Sequence, residues 1–293
     1  MRQDCFMRIQ PSLTLLNEEQ KDDAVIGVGG YASGPVVLMA RLGGVPTAIC
    51  EQNSIPGLTN KILGRVARAV FVSFDGARRF FGPQKTVVSG NPVRRDLLHK
   101  LLDVSATPAP GPTADDRVHI LVSGGSLGAV AVNDLAADAL IALARIIPLS
   151  IVHQTGDKGL EPTRKRYADA GVAADCQPFI KDMASAYHQA DLIIGRAGAT
   201  TVAELAITGK PAVFIPYPFA ADNHQEQNAR QMADAGAALM FKQSELTATK
   251  LADALRPLVT DPAHRAEMGA RMKALARPQA AATIIDWCQA QRR

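Results

Sequence analysis

Residues 120–135 read "ILVSGGSLGAVAVNDL". An apolar, β-branched run stops at Gly124-Gly125-Ser126, a further glycine follows at Gly128, and the pattern then turns to the Ala/Val/Leu spacing of a helix. Strand, glycine turn and helix in direct succession make one unit of a parallel sheet, because parallel neighbours need a crossover and a helix supplies it. The same succession recurs outward in both directions. Apolar runs at 24–28, 46–50, 69–73, 149–154, 192–195 and 212–216, with a further strand near 86, each lead into a turn and a helical pattern. The chain is therefore α/β, built as doubly wound parallel sheets with helices on both faces.

The bulk numbers agree with a globular protein: 293 residues, 47% hydrophobic and 20% charged, enough to bury one large or two medium cores. Cys5, Cys50, Cys176 and Cys288 lie far apart, without a CxxC pair or a histidine at metal spacing. That pattern excludes a disulfide framework and a zinc site and fits a reducing compartment. No run approaches the roughly 18 apolar residues of a spanning helix, and the first residues lack the apolar centre of a signal peptide. The formal charge of +4 permits contact with phosphates or an anionic membrane. Between the strand near 86 and the strand at 118, "SATPAPGPTADD" (105–116) has no apolar periodicity and reads as a connection between two halves. The expected organisation is a first domain over 1–95, a linker over 96–116 and a second domain over 117–277. A final helix, 278–293, carries Ile284, Ile285, Trp287 and Cys288 and returns to the first domain.

In such sheets ligands bind at the carboxyl ends of the strands, where loop amides and helix N-termini favour anions. Three turns qualify. One is "VIGVGGYASGP" (25–35), one is the Gly124–Gly128 loop, and the third is "GRAGATTVAELAITGKP" (195–211). Neither of the first two has the GxGxxG spacing of a dinucleotide site or the GxxxxGK[ST] of a P-loop. In the third, Thr201-Val-Ala-Glu204 fits a capping box, with the glutamate reaching back to the start of its helix. The same carboxylate could instead accept two sugar hydroxyls, and composition leaves both readings open. Glu51, Gln52 and Asn53 follow one strand, and Asn91 and Arg94 follow another. "PYPFAADNHQEQNAR" (216–230) offers Asp222, His224, Gln225 and Asn228 as carbohydrate partners. His153 and His224 read equally well as surface histidines. No two carboxylates are clearly assigned to opposite faces of a sugar, so the glycosidase template matches poorly.

Taken together, "GVGGYASGP", "EQNSIPGLTNK", "GNPVR", "GGSLGA", "HQTG", "PFIKDMASAY", "RAGATTVAEL", "GKPAVFIPYP" and "DNHQEQNA" resemble the MurG family in order and spacing, from about residue 24 onward. Members transfer N-acetylglucosamine from UDP-N-acetylglucosamine to undecaprenyl-diphosphate-muramoyl-pentapeptide in peptidoglycan synthesis. The resemblance implies the glycosyltransferase B fold: two Rossmann-like domains facing a cleft, the second holding the UDP-sugar and the first the lipid diphosphate. Residue by residue it implies that Ser126 meets the donor diphosphate, the Ile180 backbone reads the uracil edge and Glu204 holds the ribose hydroxyls. Ala199, Thr200 and Thr201 would set the helix N-terminus against the diphosphate, and Gln225 would contact the glucosamine. Asn53 and Arg94 would face the donor across the cleft, and Gly29, Gly30, Tyr31, Ser33 and Glu51 would line the acceptor side. The reaction implied is inverting, one-step displacement of UDP, with no cofactor, metal or nucleic acid, at the cytoplasmic face of the inner membrane through peripheral attachment. Loop amides, a helix dipole and Arg94 would supply the positive potential for the leaving diphosphate.

The sequence departs from the family at its start. The family's opening strand and GGTGGH-type loop, whose histidine is the favoured catalytic base, have no counterpart before Ala24. The resemblance thus implies an incomplete first domain with an exposed sheet edge, a half-built acceptor site and doubtful activity of these 293 residues. "SLTLLNEEQKDD" (12–23) is helix-compatible. Leu127 stands where the family usually has Gln, and Cys50 where it often has His. Two other functions fit parts of the pattern: a UDP-sugar-binding protein without transferase activity, and another enzyme of the same fold such as a UDP-N-acetylglucosamine 2-epimerase.

Overall fold

The computed structural model describes residues 23–103, 117–125 and 128–292. The helix expected over 12–23, save Asp23, the connecting run 105–116, and Ser126 with Leu127 lie outside them. Two parallel sheets form. The first holds β1 (Val25–Gly27), β2 (Thr47–Glu51), β3 (Ala69–Val72) and β4 (Thr86–Val88) in chain order. The second holds β5 (Val118–Ser123), β6 (Leu149–Gln154), β7 (Asp175–Gln177), β8 (Leu192–Gly195), β9 (Ala212–Phe214) and β10 (Ala238–Met240), in the order β10-β9-β8-β5-β6-β7. The chain fills one side of β5 and then crosses to the other, so β5 lies at the switch point where open α/β sheets place their ligands. Strands β7 and β10 were not among those read from the sequence. Each has three residues, one polar (Asp175-Cys-Gln177) and one in an alanine run, so neither stands out by composition.

The continuous apolar character of the strands follows from burial on both faces. Along β5, Val118, Ile120 and Val122 enter one core and Leu121 the other; along β8, Leu192 and Ile194 part from Ile193 in the same way. The first core is closed by α4 (Val130–Ala144), α5 (Leu160–Asp169) and α9 (Ala248–Thr260). The second is closed by α3 (Arg95–Leu102), α6 (Met183–Gln189), α7 (Ala199–Thr208) and α8 (His224–Asp234), with Met272 from α10 (Pro262–Ala274). Helix α3 falls in the segment read as a linker over 96–116. Its Leu97 and Leu101, one turn apart, sit in the same core as Tyr187 and Ile193, which is why that part of the connection is helical.

On the first sheet, Ile49, Val70 and Val72 pack against α1 (Ser33–Leu42) and α2 (Leu58–Val66) through Val37 and Leu63. The opposite face carries Ala48, Cys50 and Phe71, and there the last helix, α11 (Ala280–Gln289), seats Ile284 and Trp287. The Trp287 ring meets Phe71 edge-on, centroids 5.9 Å apart, a favourable aromatic geometry. Burial on that face lifts the Cys50 thiol pKa to about 12, with the charges of Cys288 and Glu51 acting in the same direction.

Candidate functional site

Strand register decides which loops meet. In the second sheet Ser123 pairs with Gln154 and with Gly195, Gln154 with Gln177, and Gly195 with Phe214. The carboxyl ends of five strands therefore stand side by side, and the turns after them (124–125 with 128, 154–156, 178–180, 196–198 and 215–217) share one rim. In the first sheet Gly27 pairs with Ile49, and Val72 with Glu51 and Val88, which aligns the turns at 28–30, 52–57, 73–76 and 89–91. The two rims touch. Asn228 Oδ1 accepts from Ser54 N–H at 2.9 Å, and its Nδ2 donates to Asn53 Oδ1 and to the Ala197 carbonyl, both at 3.2 Å. Gln231 Oε1 accepts from Gly76 N–H at 3.4 Å, and Asn91 Nδ2 donates to Thr200 Oγ1 at 3.5 Å.

Helix α7 begins one residue after Gly198, which has extended backbone (φ −62°, ψ 143°) and no side chain to cap the helix. The Val202 N–H is the first bonded back, to the Gly198 carbonyl at 2.9 Å. The N–H groups of Ala199, Thr200 and Thr201 thus belong to the unsatisfied first turn, where the helix dipole favours an anion. Thr201 is the third helical residue and Glu204 the sixth, so the capping box considered from sequence is not formed. Glu204 lies three residues past the position from which a carboxylate reaches the start of its own helix.

The Glu204 carboxylate has a different partner: Oε2 accepts from the Tyr187 hydroxyl at 2.9 Å. Burial raises the Glu204 pKa above its ordinary range, opposed by the Tyr187 hydrogen bond and by the Arg94 charge. Arg94 itself is exposed at the start of α3. Helix α7 thus combines an open first turn, whose amides can take an anion, with a half-buried acid at its sixth residue that can accept hydroxyl donors.

Around the glycine loop, "HQTG" is internal. His153 is fully buried, not the surface histidine considered from sequence; Nδ1 meets Tyr167 Oη at 3.1 Å and Nε2 meets Asn133 Oδ1 at 3.2 Å. Burial lowers its pKa to about 4, so the ring is neutral at physiological pH. Gln154 donates to the Gly125 carbonyl at 2.9 Å and accepts from Ile180 N–H at 3.5 Å, joining the glycine loop to the turn holding Ile180. Gly128 (φ +72°) crosses so close over this corner that a Cβ would stand 2.2 Å from the Thr155 carbonyl oxygen, so only glycine fits. Ser126 lies outside the described residues.

On the first-domain rim, Gly29 and Gly30 take φ of +93° and +78°, and Ser33 Oγ lies 2.8 and 2.9 Å from their carbonyls, closing the loop. Tyr31 projects from it, 97% exposed. Glu51, by contrast, is 2% exposed. Its oxygens accept from Asn53 N–H (2.9 Å), Gly57 N–H (3.3 Å) and Asn60 Nδ2 (2.8 Å), so it shapes the 51–60 loop from within. Asn53 is tied to Asn228. Asn228 is fully buried in that contact, which removes it from the carbohydrate partners considered from sequence. Gln225 Oε1 accepts from Tyr217 N–H at 3.0 Å, holding the loop after β9. Tyr187, Gln154 and Gln231 were missed. Tyr187 and Gln154 lie inside motifs quoted for other residues, and only the three-dimensional contacts reveal them.

Residues 119–284 match the glycosyltransferase family 28 C-terminal domain, and residues 9–72 match the glycosyltransferase family 28 N-terminal domain. A Myxococcus xanthus protein named UDP-N-acetylglucosamine–N-acetylmuramyl-(pentapeptide) pyrophosphoryl-undecaprenol N-acetylglucosamine transferase is 50% identical over 270 residues, covering 92% of this chain and 69% of its own. The chain belongs to the MurG family of glycosyltransferases. The Geobacter metallireducens transferase of the same name is 45% identical over 92% of this chain and 73% of its own. The crystal structure of Acinetobacter baumannii MurG superposes with a TM-score of 0.78 at 41% identity, over 91% of this chain and 74% of that one. A Neisseria meningitidis UDP-GlcNAc 2-epimerase bound to UDP-GlcNAc superposes with a TM-score of 0.65 at 14% identity, over 90% of this chain and 75% of that one. That likeness is one of fold. The MurG family membership accounts for the glycosyltransferase B arrangement of two sheets meeting rim to rim.

Proposed function

We propose that the chain is an N-acetylglucosaminyltransferase that moves the sugar from UDP-N-acetylglucosamine to a lipid-linked diphosphate muramyl-pentapeptide, as the names of its relatives state for them. The observation that carries the reading is the pairing on α7 of an uncapped N-terminus with the Glu204 carboxylate. A nucleoside diphosphate presents the complementary pair, an anion and a ribose diol. In this reading Ala199, Thr200 and Thr201 offer amides to the diphosphate, joined by Ser126 of the glycine loop. Ile180 reads the uracil edge, Glu204 holds the ribose, and Gln225 contacts the glucosamine. Asn53 and Arg94 approach from the first domain, and Gly29, Gly30, Tyr31 and Ser33 face the acceptor, over a loop that Glu51 shapes. The acceptor hydroxyl displaces UDP with inversion, and amides together with Arg94 stabilise the leaving diphosphate. The division of labour follows the domains: 117–277 for the donor, and 1–95 with the returning helix 278–293 for the acceptor.

A membrane-facing surface belongs to the same proposal. No helix among the described residues is long and apolar enough to cross a membrane. Helices α1 and α2 expose Val36, Met39, Leu42, Leu58 and Ile62, with the exposed Arg41, Arg65 and Arg68 beside them. Apolar side chains ringed by arginines suit peripheral attachment to an anionic leaflet, and we assign this face to the cytoplasmic side of the inner membrane.

The test is calorimetry with UDP and UDP-N-acetylglucosamine, together with transfer of labelled sugar into lipid when an acceptor analogue is supplied. Binding of both nucleotides is expected, and Glu204→Ala should weaken UDP by about 1.5–3 kcal/mol, the value of hydrogen bonds to a charged group. A folded chain that binds neither nucleotide would refute the reading.

A further inference from the structure

The motif "PFIKDMASAY" ends on a residue that the reading above does not use. Tyr187 is 2% exposed, and its ring is packed in the core with Ala190, Ile193 and Leu205. Helix α6, which carries it, is fixed at its start by Asp182, whose carboxylate accepts from Ser185 N–H at 3.4 Å and from Ser185 Oγ at 2.8 Å. A tyrosine held this way has one polar atom to satisfy, and its hydroxyl donates to Glu204 Oε2 at 2.9 Å.

We propose that Tyr187 is a positioning residue for the sugar-nucleotide donor: its buried hydroxyl holds one oxygen of Glu204 so that the remaining acceptor sites face a vicinal diol. The proposal rests on the reading of Glu204 as the ribose clamp. A carboxylate has two oxygens and about four lone-pair sites. Tyr187 occupies one site on Oε2, and among the described residues no donor reaches Oε1. About three sites therefore remain, one on Oε2 and two on Oε1, so each oxygen can accept one of two hydroxyls. The terminal torsion of a glutamate is soft, so without the tyrosine the carboxylate plane is free to turn away from that two-point geometry.

The hydroxyl also acts on charge. Desolvation pushes Glu204 toward its protonated form, while Tyr187 from α6 and Arg94 from the start of α3 favour the carboxylate. Tyr187→Phe removes one of the two opposing groups, so the pKa of Glu204 rises further. Binding that needs the carboxylate is present above that pKa and is lost as pH falls through it. The acid limb of UDP affinity accordingly moves to higher pH in the variant.

The experiment compares UDP with 2′-deoxyuridine diphosphate on the wild-type chain, Tyr187→Phe and Glu204→Ala, by calorimetry between pH 5 and 9, with melting curves as a control for folding. The wild type should prefer UDP. Tyr187→Phe should lose about tenfold in UDP affinity, the scale of one hydrogen bond to a charged group, and distinctly less with the deoxy ligand. The preference shrinks and the acid limb shifts upward. A tyrosine that only fills space predicts equal losses for the two ligands and an unmoved acid limb, and that result overturns the proposal. Glu204→Ala should abolish the preference altogether. If Glu204→Ala retains it, the ribose reading of Glu204 falls and takes this proposal with it; if only Tyr187→Phe behaves like wild type, the clamp stands and the positioning role falls.

Discussion

Asn228 offers the sharpest test of how the two sheets are joined. Its side chain, fully buried, accepts from Ser54 N–H and donates to Asn53 Oδ1 and the Ala197 carbonyl. Asn228→Ala removes all three bonds and leaves a buried amide and a buried carbonyl without that partner. At about 1–3 kcal/mol for each stranded group, the loss comes to about 3 kcal/mol, or about 5 °C in melting temperature at an unfolding entropy of ~2.1 cal/mol/K per residue. Asn228→Asp keeps the volume and the acceptor for Ser54 but turns two donors into acceptors that face oxygen atoms. A buried carboxylate in that position has its folded pKa raised above the unfolded value near 3.9. Stability is then retained below that value and lost as pH rises toward the folded pKa, opposite to ordinary acid denaturation. Melting curves at pH 5 and 7.5 should therefore place the Asp variant at or below the Ala variant at neutral pH, and closer to wild type at pH 5. An Asp variant as stable as wild type at pH 7.5 would refute the bridging role of the amide.

Further expectations follow from the same contacts. His153, neutral with a pKa lowered to about 4 by burial against about 6.5 unfolded, contributes stability that is complete above pH 6.5 and lost as pH falls toward 4. The total is about 3 kcal/mol, and His153→Leu should flatten that part of a stability-versus-pH curve. Glu204→Ala should lose UDP affinity without the loss of helix content that a capping role would entail, read by calorimetry and circular dichroism on one sample. Leu42→Glu with Leu58→Glu should abolish co-sedimentation with anionic vesicles while UDP binding is unchanged; undiminished sedimentation would place the membrane contact elsewhere.

Much of this was legible in the sequence because strands buried on both faces read as apolar runs, and the glycine turns after them mark the rim where ligands collect. Strands β7 and β10 escaped because three residues carry too little pattern, and the helical part of the linker escaped because Leu97 and Leu101 gain their meaning only from the core they enter. The site divides in the same way. Which residues follow a strand is a local property, so Glu51, Asn53, Asn91 and Arg94 could be singled out from the pattern, whereas Ile180 was named only through the family resemblance. Which polar atoms are already engaged is a property of packing, so Glu51, Asn228 and His153 could not be told from exposed candidates until their partners were known. The capping box at Thr201–Glu204 failed for a related reason: the motif fixes a spacing of three but not the residue at which the helix begins, and an extended Gly198 starts it earlier.

Helix α8 joins these observations. Gln225, in its first turn, holds the loop after β9 through Tyr217 N–H, and Asn228, three residues on, holds Ser54 and Asn53 of the other domain. Residues at that spacing move as one body on a helix. A ligand that draws Gln225 away from Tyr217 therefore acts on the same rigid element that fixes the 51–57 loop, whose shape is set by Glu51. In the proposed reading Gln225 touches the donor sugar, so donor binding is expected to reach the 51–57 rim through one turn of helix. Asn228→Ala should therefore abolish the change in amide exchange of residues 51–57 that UDP-N-acetylglucosamine produces in the wild-type chain, and a change of undiminished size would refute the link.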